Sequence, residues 1–304
     1  KLMMIKALKW IGIILLGLAA VLLIGGGVLY GTSSSRLNNG PEVAVKTVPA
    51  AGSAEAIDRG EHLAIAIGGC TSCHGENLGG QVSVDEPPIG TIFAANLTAG
   101  EGGVGAAYSE EDWARAIRHG IGADGRVLGA MPSNAFAHLS DEDLSEILAY
   151  IQSVPPVDNV LPARQLSPPG TIIFGTMAYS TMPANLIDHA AVGGQAPPQG
   201  ATAEYGEYLT LIGGCHDCHG PDLGGIDPEN APPGPPPGPN LRPSGRLGSW
   251  SQEAFFTALR SGRTPDGRQL SPEMPWEHYG LMTDEELEAV WLYLHGLDST
   301  TAQR

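Results

Sequence analysis

The block Cys70-Thr71-Ser72-Cys73-His74 recurs 145 residues later as Cys215-His216-Asp217-Cys218-His219, and these two blocks contain all four cysteines of the 304-residue chain. The recurrence extends well beyond the blocks. Gly60-Glu61-His62-Leu63 leads into the first as Gly206-Glu207-Tyr208-Leu209 leads into the second. Leu78-Gly79-Gly80 follows as Leu223-Gly224-Gly225, and Asn96-Leu97 as Asn240-Leu241. Asp124-Gly125-Arg126 then matches Asp266-Gly267-Arg268, and Met131-Pro132 matches Met274-Pro275. A chain that repeats itself this way folds as two similar halves, each organised around its own block.

Each half reads as three helices. The lead-in before the block is the first. A short helix follows, opened by Ser109 or Ser251 and ended at Gly120 or Gly262, where a residue of positive φ closes a helix. The last opens at Ser140-Asp141-Glu142-Asp143 or Thr283-Asp284-Glu285-Glu286, a hydroxyl with an acid three residues on, which is the capping-box pattern. Leu144, Ile147, Leu148 and Ile151, and likewise Leu287, Val290, Trp291 and Leu294, form its inward stripe. The fold class is therefore all-α.

The 42 Gly and 25 Pro exceed a fifth of the chain while aromatics are 6%, so each half is loop-rich and buries little apolar surface by itself. A large covalent cofactor would complete such a core. Two thiols one helical turn apart can reach the two vinyl groups of a haem, and an imidazole next in sequence can reach its iron, so the blocks point to two covalently bound haem c groups. A zinc site or redox dithiol also uses Cys-x-x-Cys but does not need the adjacent histidine.

The blocks assign Cys70, Cys73, Cys215 and Cys218 to the thioethers and His74 and His219 to the iron. The other ring nitrogen of each histidine is left for a carbonyl just before Asn96 or Asn240, Pro239 among the candidates. Met131 and Met274, at matching repeat positions before proline, are the expected sixth ligands, and a thioether ligand raises the potential. Met177, Met182 and Met282 read as core filler. His138, His216 and His278 lack repeat counterparts or point away. Arg118 and Arg260 do match, and a guanidinium suits a haem propionate.

Trp10 to Tyr30 carries no charge over 21 residues, about 31 Å as a helix, which matches a bilayer core. Lys1, Lys6 and Lys9 precede it and the next basic residue is Arg36, so a single-pass topology with a cytoplasmic amino terminus and exported haem domains is expected. The organisation expected is an anchor at 1–32, a tether at 33–55, haem domains at 56–156 and 203–304, and an apolar interdomain segment at 157–202 crossing both. Asp227 to Pro239 reads as a Pro-rich loop.

The formal net charge of -17 excludes a nucleic-acid partner, which calls for a basic face. With all four lysines in the first 46 residues, the remainder is an acidic surface for solubility or for a basic redox partner.

On the two haem blocks, the two Met-Pro sites and the final helices, residues 56–156 and 203–297 each resemble the class I cytochrome c fold. The resemblance implies first and last helices crossing over the haem, with one haem edge exposed. The plan of one anchor and two such domains is similar to the dihaem subunit of cbb-type oxidases. It is also similar to the cytochrome subunits of periplasmic alcohol dehydrogenases, which usually carry three haems where this chain has two. What this implies is a non-enzymatic relay of single electrons between a redox donor and an acceptor of a respiratory or photosynthetic chain, as a subunit of a larger membrane complex. A dihaem peroxidase or a haem-based gas sensor would need an iron with a vacant or labile position, against which Met131 and Met274 stand.

Overall fold

The computed structural model describes residues 2–162, 164–229, 231 and 236–297. The chain begins with α1 (Leu2–Asn38), a helix long and apolar enough to cross a membrane. The helix does not stop where the apolar stretch ends at Tyr30. It continues through Gly31 to Ser35, poor helix formers, because its last turns are held by packing. Ser33 and Leu37 are buried, and Leu37 shares a small core with Ile121, Val127, Met182 and Ala184. The first residues of the expected tether are thus folded helix, and Val48 further along is buried in the main core.

The first repeat runs α2 (Ala54–His62), continuing through a π-helical turn at Leu63–Ile67, then α3 (Cys70–His74), β1 (Gln81–Glu86), β2 (Gly90–Ala94), α4 (Glu110–His119), α5 (Ser133–Phe136) and α6 (Asp141–Ser153). The connecting segment holds β3 (Gln165–Leu166), α7 (Pro168–Gly175) and α8 (Pro183–Leu186). The second repeat runs α9 (Ala203–Ile212), α10 (Cys215–His219), α11 (Gln252–Ser261), α12 (Trp276–Tyr279) and α13 (Asp284–Gly296). The three expected helices of each repeat are present, joined by a short helix on each cysteine block and a single turn after each Met-Pro.

One departure from all-helical architecture lies in the first repeat, a small antiparallel sheet ordered β1-β2-β3. Gln81 pairs with Ala94 and Glu86 with Gly90, and β3 adds Leu166 opposite Gly90. Val82, Val84, Thr91, Ile92 and Phe93 supply the β-branched and aromatic residues that suit strands. The second repeat has the Pro-rich stretch in this place, and proline cannot donate to a ladder. Residues 230 and 232–235 of that stretch lie outside the described residues.

The first and last helices of each repeat cross at a glycine. A Cβ on Gly60 would lie 1.9 Å from the Glu146 carbonyl oxygen, and one on Gly206 would lie 1.9 Å from that of Ala289, so only glycine lets α2 meet α6 and α9 meet α13. The segment expected to cross both domains is fastened to the first. Asn96 Nδ2 donates to the Val157 carbonyl at 2.7 Å, Asn159 Nδ2 to that of Gly79 at 2.8 Å, and the Gly193 N–H to that of Ala137 at 3.1 Å.

The two repeats pack face to face by a quasi-twofold exchange. Tyr208 of α9 donates its hydroxyl to Asp143 of α6, and at the equivalent pair His62 Nε2 lies 2.7 Å from Glu286 Oε2 of α13. Arg59 spans the middle, 2.9 Å from Glu286 and 2.6 Å from the Tyr205 hydroxyl. Both acids are the capping-box acids read from the sequence. Glu286 completes its box, accepting the Thr283 N–H at 2.9 Å. In α6 the Ser140 side chain caps Asp143, but the Ser140 N–H goes to the Tyr208 hydroxyl at 2.9 Å, so a residue of the other repeat replaces the return leg. One continuous apolar core runs through both repeats.

Candidate haem sites

Each cysteine block starts from a glycine in the left-handed region, Gly69 at φ 58° or Gly214 at φ 71°, which turns the chain from the lead-in helix into α3 or α10. The loop that follows is built identically in both repeats. The Gly80 N–H donates to the His74 carbonyl at 2.7 Å and the Gly225 N–H to the His219 carbonyl at 2.8 Å. Leu97 and Leu241 donate to the carbonyls of Leu78 and Leu223 at 2.8 and 2.9 Å. Leu78 and Leu223 are fully buried and left-handed, at φ 55° and 58°, a conformation that costs a branched residue about 1 kcal/mol or more. Strain at the same position twice marks a loop held in shape for the site it encloses.

That loop delivers a carbonyl to each histidine. His74 Nδ1 lies 2.7 Å from the Ala95 oxygen and His219 Nδ1 lies 2.7 Å from the Pro239 oxygen, the residues immediately before Asn96 and Asn240. Each Nδ1 is therefore the protonated donor, and Nε2 keeps its lone pair for a metal. Burial lowers the pKa of both imidazoles, opposed by the carbonyl bond, so both are neutral, the form that ligates. A Cβ on Gly238 would lie 2.6 Å from His219 Nδ1, so glycine is needed for the loop to pass over the ring.

Cys70 and Cys215 lack the lowered pKa of a redox-active dithiol. Burial, aided by the neighbouring Cys73, pushes Cys70 up to about 12; burial, aided by Asp217, pushes Cys215 to about 12. Redox and zinc-binding cysteines have depressed values. Among the described residues no three His, Cys, Asp or Glu side chains gather into a metal cage, whereas a porphyrin brings four of its own nitrogens and asks for one or two ligands. Two cysteines and a neutral imidazole in the same turn, with Cys70 and Cys215 part-buried against the core, fit a thioether-linked haem.

Met131 and Met274 are half-buried and pack against the same core that Cys70 and Cys215 touch. Of the methionines expected as filler, Met182 and Met282 are buried, while Met177 is 72% exposed and fills nothing. The arginines are engaged elsewhere. Arg118, 1% exposed, donates to Asp141 at 2.8 Å and to the Leu139 carbonyl at 2.7 Å; Arg260 donates to Asp284 at 2.7 Å and to the Gly280 carbonyl. Both hold the amino end of the final helix, where a propionate would have to displace a carboxylate. His216 lies 3.1 Å from the Pro221 carbonyl through Nδ1, away from the iron position. Asn134 bonds Asp217 of the second block, and His278 covers Gly69 of the first, so each repeat's Met-Pro turn closes over the other's cysteine block.

Two all-but-identical sites of this kind define a dihaem c-type cytochrome. The profile of "Cytochrome C oxidase, cbb3-type, subunit III" matches residues 55–151 and 201–294, and the chain belongs to that family, with two haem c groups. It is 31% identical over 273 residues to the fructose dehydrogenase cytochrome subunit of Gluconobacter japonicus, covering 82% of this chain and 54% of that protein. It is 28% identical over 272 residues to the gluconate 2-dehydrogenase cytochrome c subunit of Pantoea cypripedii, covering 82% and 61%. A diheme c-type cytochrome of Cereibacter sphaeroides is 27% identical over 311 residues, covering 91% of this chain and 95% of that one. The chain spans about half the length of the dehydrogenase cytochrome subunits it matches.

Proposed function

We propose that this chain is the electron-transferring cytochrome subunit of a membrane oxidoreductase complex, held by α1 with its amino terminus in the cytoplasm and both haem domains outside. The observation that supports the reading is the doubled site: each block places two cysteines and a histidine locked by a carbonyl in one turn, and each repeat places one Met-Pro methionine against the same core. In this reading His74 with Met131 would hold one haem iron and His219 with Met274 the other. Haem c supplies a one-electron ferric–ferrous couple. The protein's part would be to offer each iron a neutral imidazole held in one orientation by its carbonyl and a methionine from the core, so that little rearranges when an electron arrives or leaves.

The named relatives that are cytochrome subunits of sugar, sugar-acid and alcohol dehydrogenases favour a dehydrogenase as the donor, with the acidic lysine-free surface facing a basic partner. Membranes containing the full chain, solubilised in mild detergent and drawn out through a tag on it, are expected to yield a catalytic dehydrogenase or oxidase subunit in stoichiometric amount. Recovery of the cytochrome alone under conditions that preserve other membrane complexes would overturn the subunit reading.

A further inference from the structure

The haem sites leave residues 165–187 without a role, and this segment carries no Asp, Glu, Lys or Arg across 23 residues of a chain whose net charge is -17. It is the longest uncharged run after the membrane-length helix, flanked by Arg164 and Asp188. It folds as β3, α7, a 3₁₀ turn at Tyr179–Thr181 and α8. Its apolar side chains are only partly used: Ile172, Ile173 and Phe174 are half-buried, Met177 is 72% exposed and Leu186 57%.

Where this segment meets α1 gives its height. Gly175, the end of α7, lies against Ser33, where an added Cβ would come within 2.3 Å of the serine Cβ, and the Arg36 guanidinium donates to the Gly175 carbonyl at 3.1 Å. Arg36 also sits over the Tyr179 ring, 5.3 Å from its centroid. Ser33 is three residues past Tyr30, about 4.5 Å along the helix axis. The polar layer of a leaflet is roughly 5–7 Å deep, so the contact falls at headgroup level when Trp10 to Tyr30 fills the hydrocarbon. A tyrosine with an arginine over its ring is the side-chain pairing that suits a membrane–water boundary.

We infer that residues 165–187 form a collar seated in the lipid interface around the exit of α1, with Ile172, Ile173, Met177 and Leu186 toward the acyl boundary and Phe174 anchoring it on the small core, and that it sets the attitude of the haem pair on the bilayer. The occupant is the zwitterionic surface of the bilayer itself, since the segment has no cations for anionic headgroups and the surrounding domain is acidic. The inference rests on α1 being the membrane span. The collar is fastened to α1 through Ser33 and Arg36 and to the first repeat through Gly170 against Ile89 and Ala184 in the small core, so seating it in lipid fixes the haem domain as well.

The native cysteines are consumed as thioethers, so a single introduced cysteine in the haem-loaded full chain reports its own surroundings. Three variants, Met177→Cys, Leu22→Cys and Gln269→Cys, would be placed in phosphatidylcholine vesicles and their rates of modification by a membrane-impermeant maleimide normalised to the denatured chain. Gln269 is exposed among Arg263, Asp266 and Arg268 and reports water. Met177→Cys and Leu22→Cys are each expected to react at least tenfold more slowly than Gln269→Cys. Met177→Cys reacting as fast as Gln269→Cys while Leu22→Cys stays slow overturns the collar alone. Fast reaction at both positions overturns the membrane span with it.

Discussion

Replacing Glu286 by glutamine removes the carboxylate of the second haem domain that Arg59 and His62 of the first both reach. The carboxylate is 4% exposed and takes the Thr283 N–H at 2.9 Å, Arg59 at 2.9 Å and His62 at 2.7 Å. Burial by itself raises the pKa, but the bonds from His62, Arg59 and the Thr283 N–H outweigh it and bring the group down from 4.5 to about 2. A folded value below the unfolded one means that stability is present above about 4.5 and is lost as the pH falls toward 2. A drop of that size corresponds to about 3 kcal/mol at neutral pH, in the range for breaking a buried ion pair from one side. Glu286→Gln should therefore be about 3 kcal/mol less stable than the native chain at pH 7, about half that at pH 3, and nearly equal to it at pH 2. Urea unfolding of the haem-loaded chain in detergent, followed by far-ultraviolet circular dichroism across that pH range, reads the difference. A loss below about 1 kcal/mol at pH 7, or the same loss at pH 3 as at pH 7, would refute the reasoning.

Further outcomes follow from the same contacts. Tyr208→Phe strands the Ser140 N–H and removes one of the two hydroxyl donors to Asp143, and should cost about 1–3 kcal/mol in thermal or urea unfolding, while Tyr293→Phe, at a half-buried tyrosine of α13, costs less than half as much. Arg118→Met should cost about 2–3 kcal/mol and Arg260→Met under 1, because Asp141 is half-buried and Asp284 exposed; neither should move a haem potential, and a shift at either haem would restore the propionate role. Met131→His and Met274→His should each lower the midpoint of one haem, by something on the order of 100 mV within the ~0.8 V that axial ligands span, and leave the other within error in a spectroelectrochemical titration.

The haem blocks were legible in the sequence because covalent attachment fixes thiol and imidazole spacing in a single turn, and the short turn after each Met-Pro was legible as a matched position because the repeat supplied a second copy. The caps at Ser140 and Thr283 were legible as local patterns, but nothing local shows that Tyr208 completes one of them from the other repeat. The carbonyls on His74 and His219 could be placed to within a residue or two of Asn96 and Asn240. The left-handed leucines that aim them could not, since Leu-Gly-Gly gives no sign of which residue takes the strain. The small sheet was hidden because the second repeat has prolines where the first has Val82, Val84 and Ile92. Propensity would also have ended α1 at Tyr30; burial of Ser33 and Leu37 against the connecting segment overrides it. Arg118 and Arg260 form a matched pair, but matching says only that two side chains do the same thing; each reaches the aspartate that opens the last helix of its repeat.

The most direct test of the account is carbon monoxide binding to the fully reduced, full-length chain by rapid mixing. With His74 and Met131 on one iron and His219 and Met274 on the other, neither Soret band should change on the timescale of seconds. Rapid formation of a carbonyl adduct at either haem would show an open or labile sixth position, and the chain would then be an enzyme or a sensor rather than a relay.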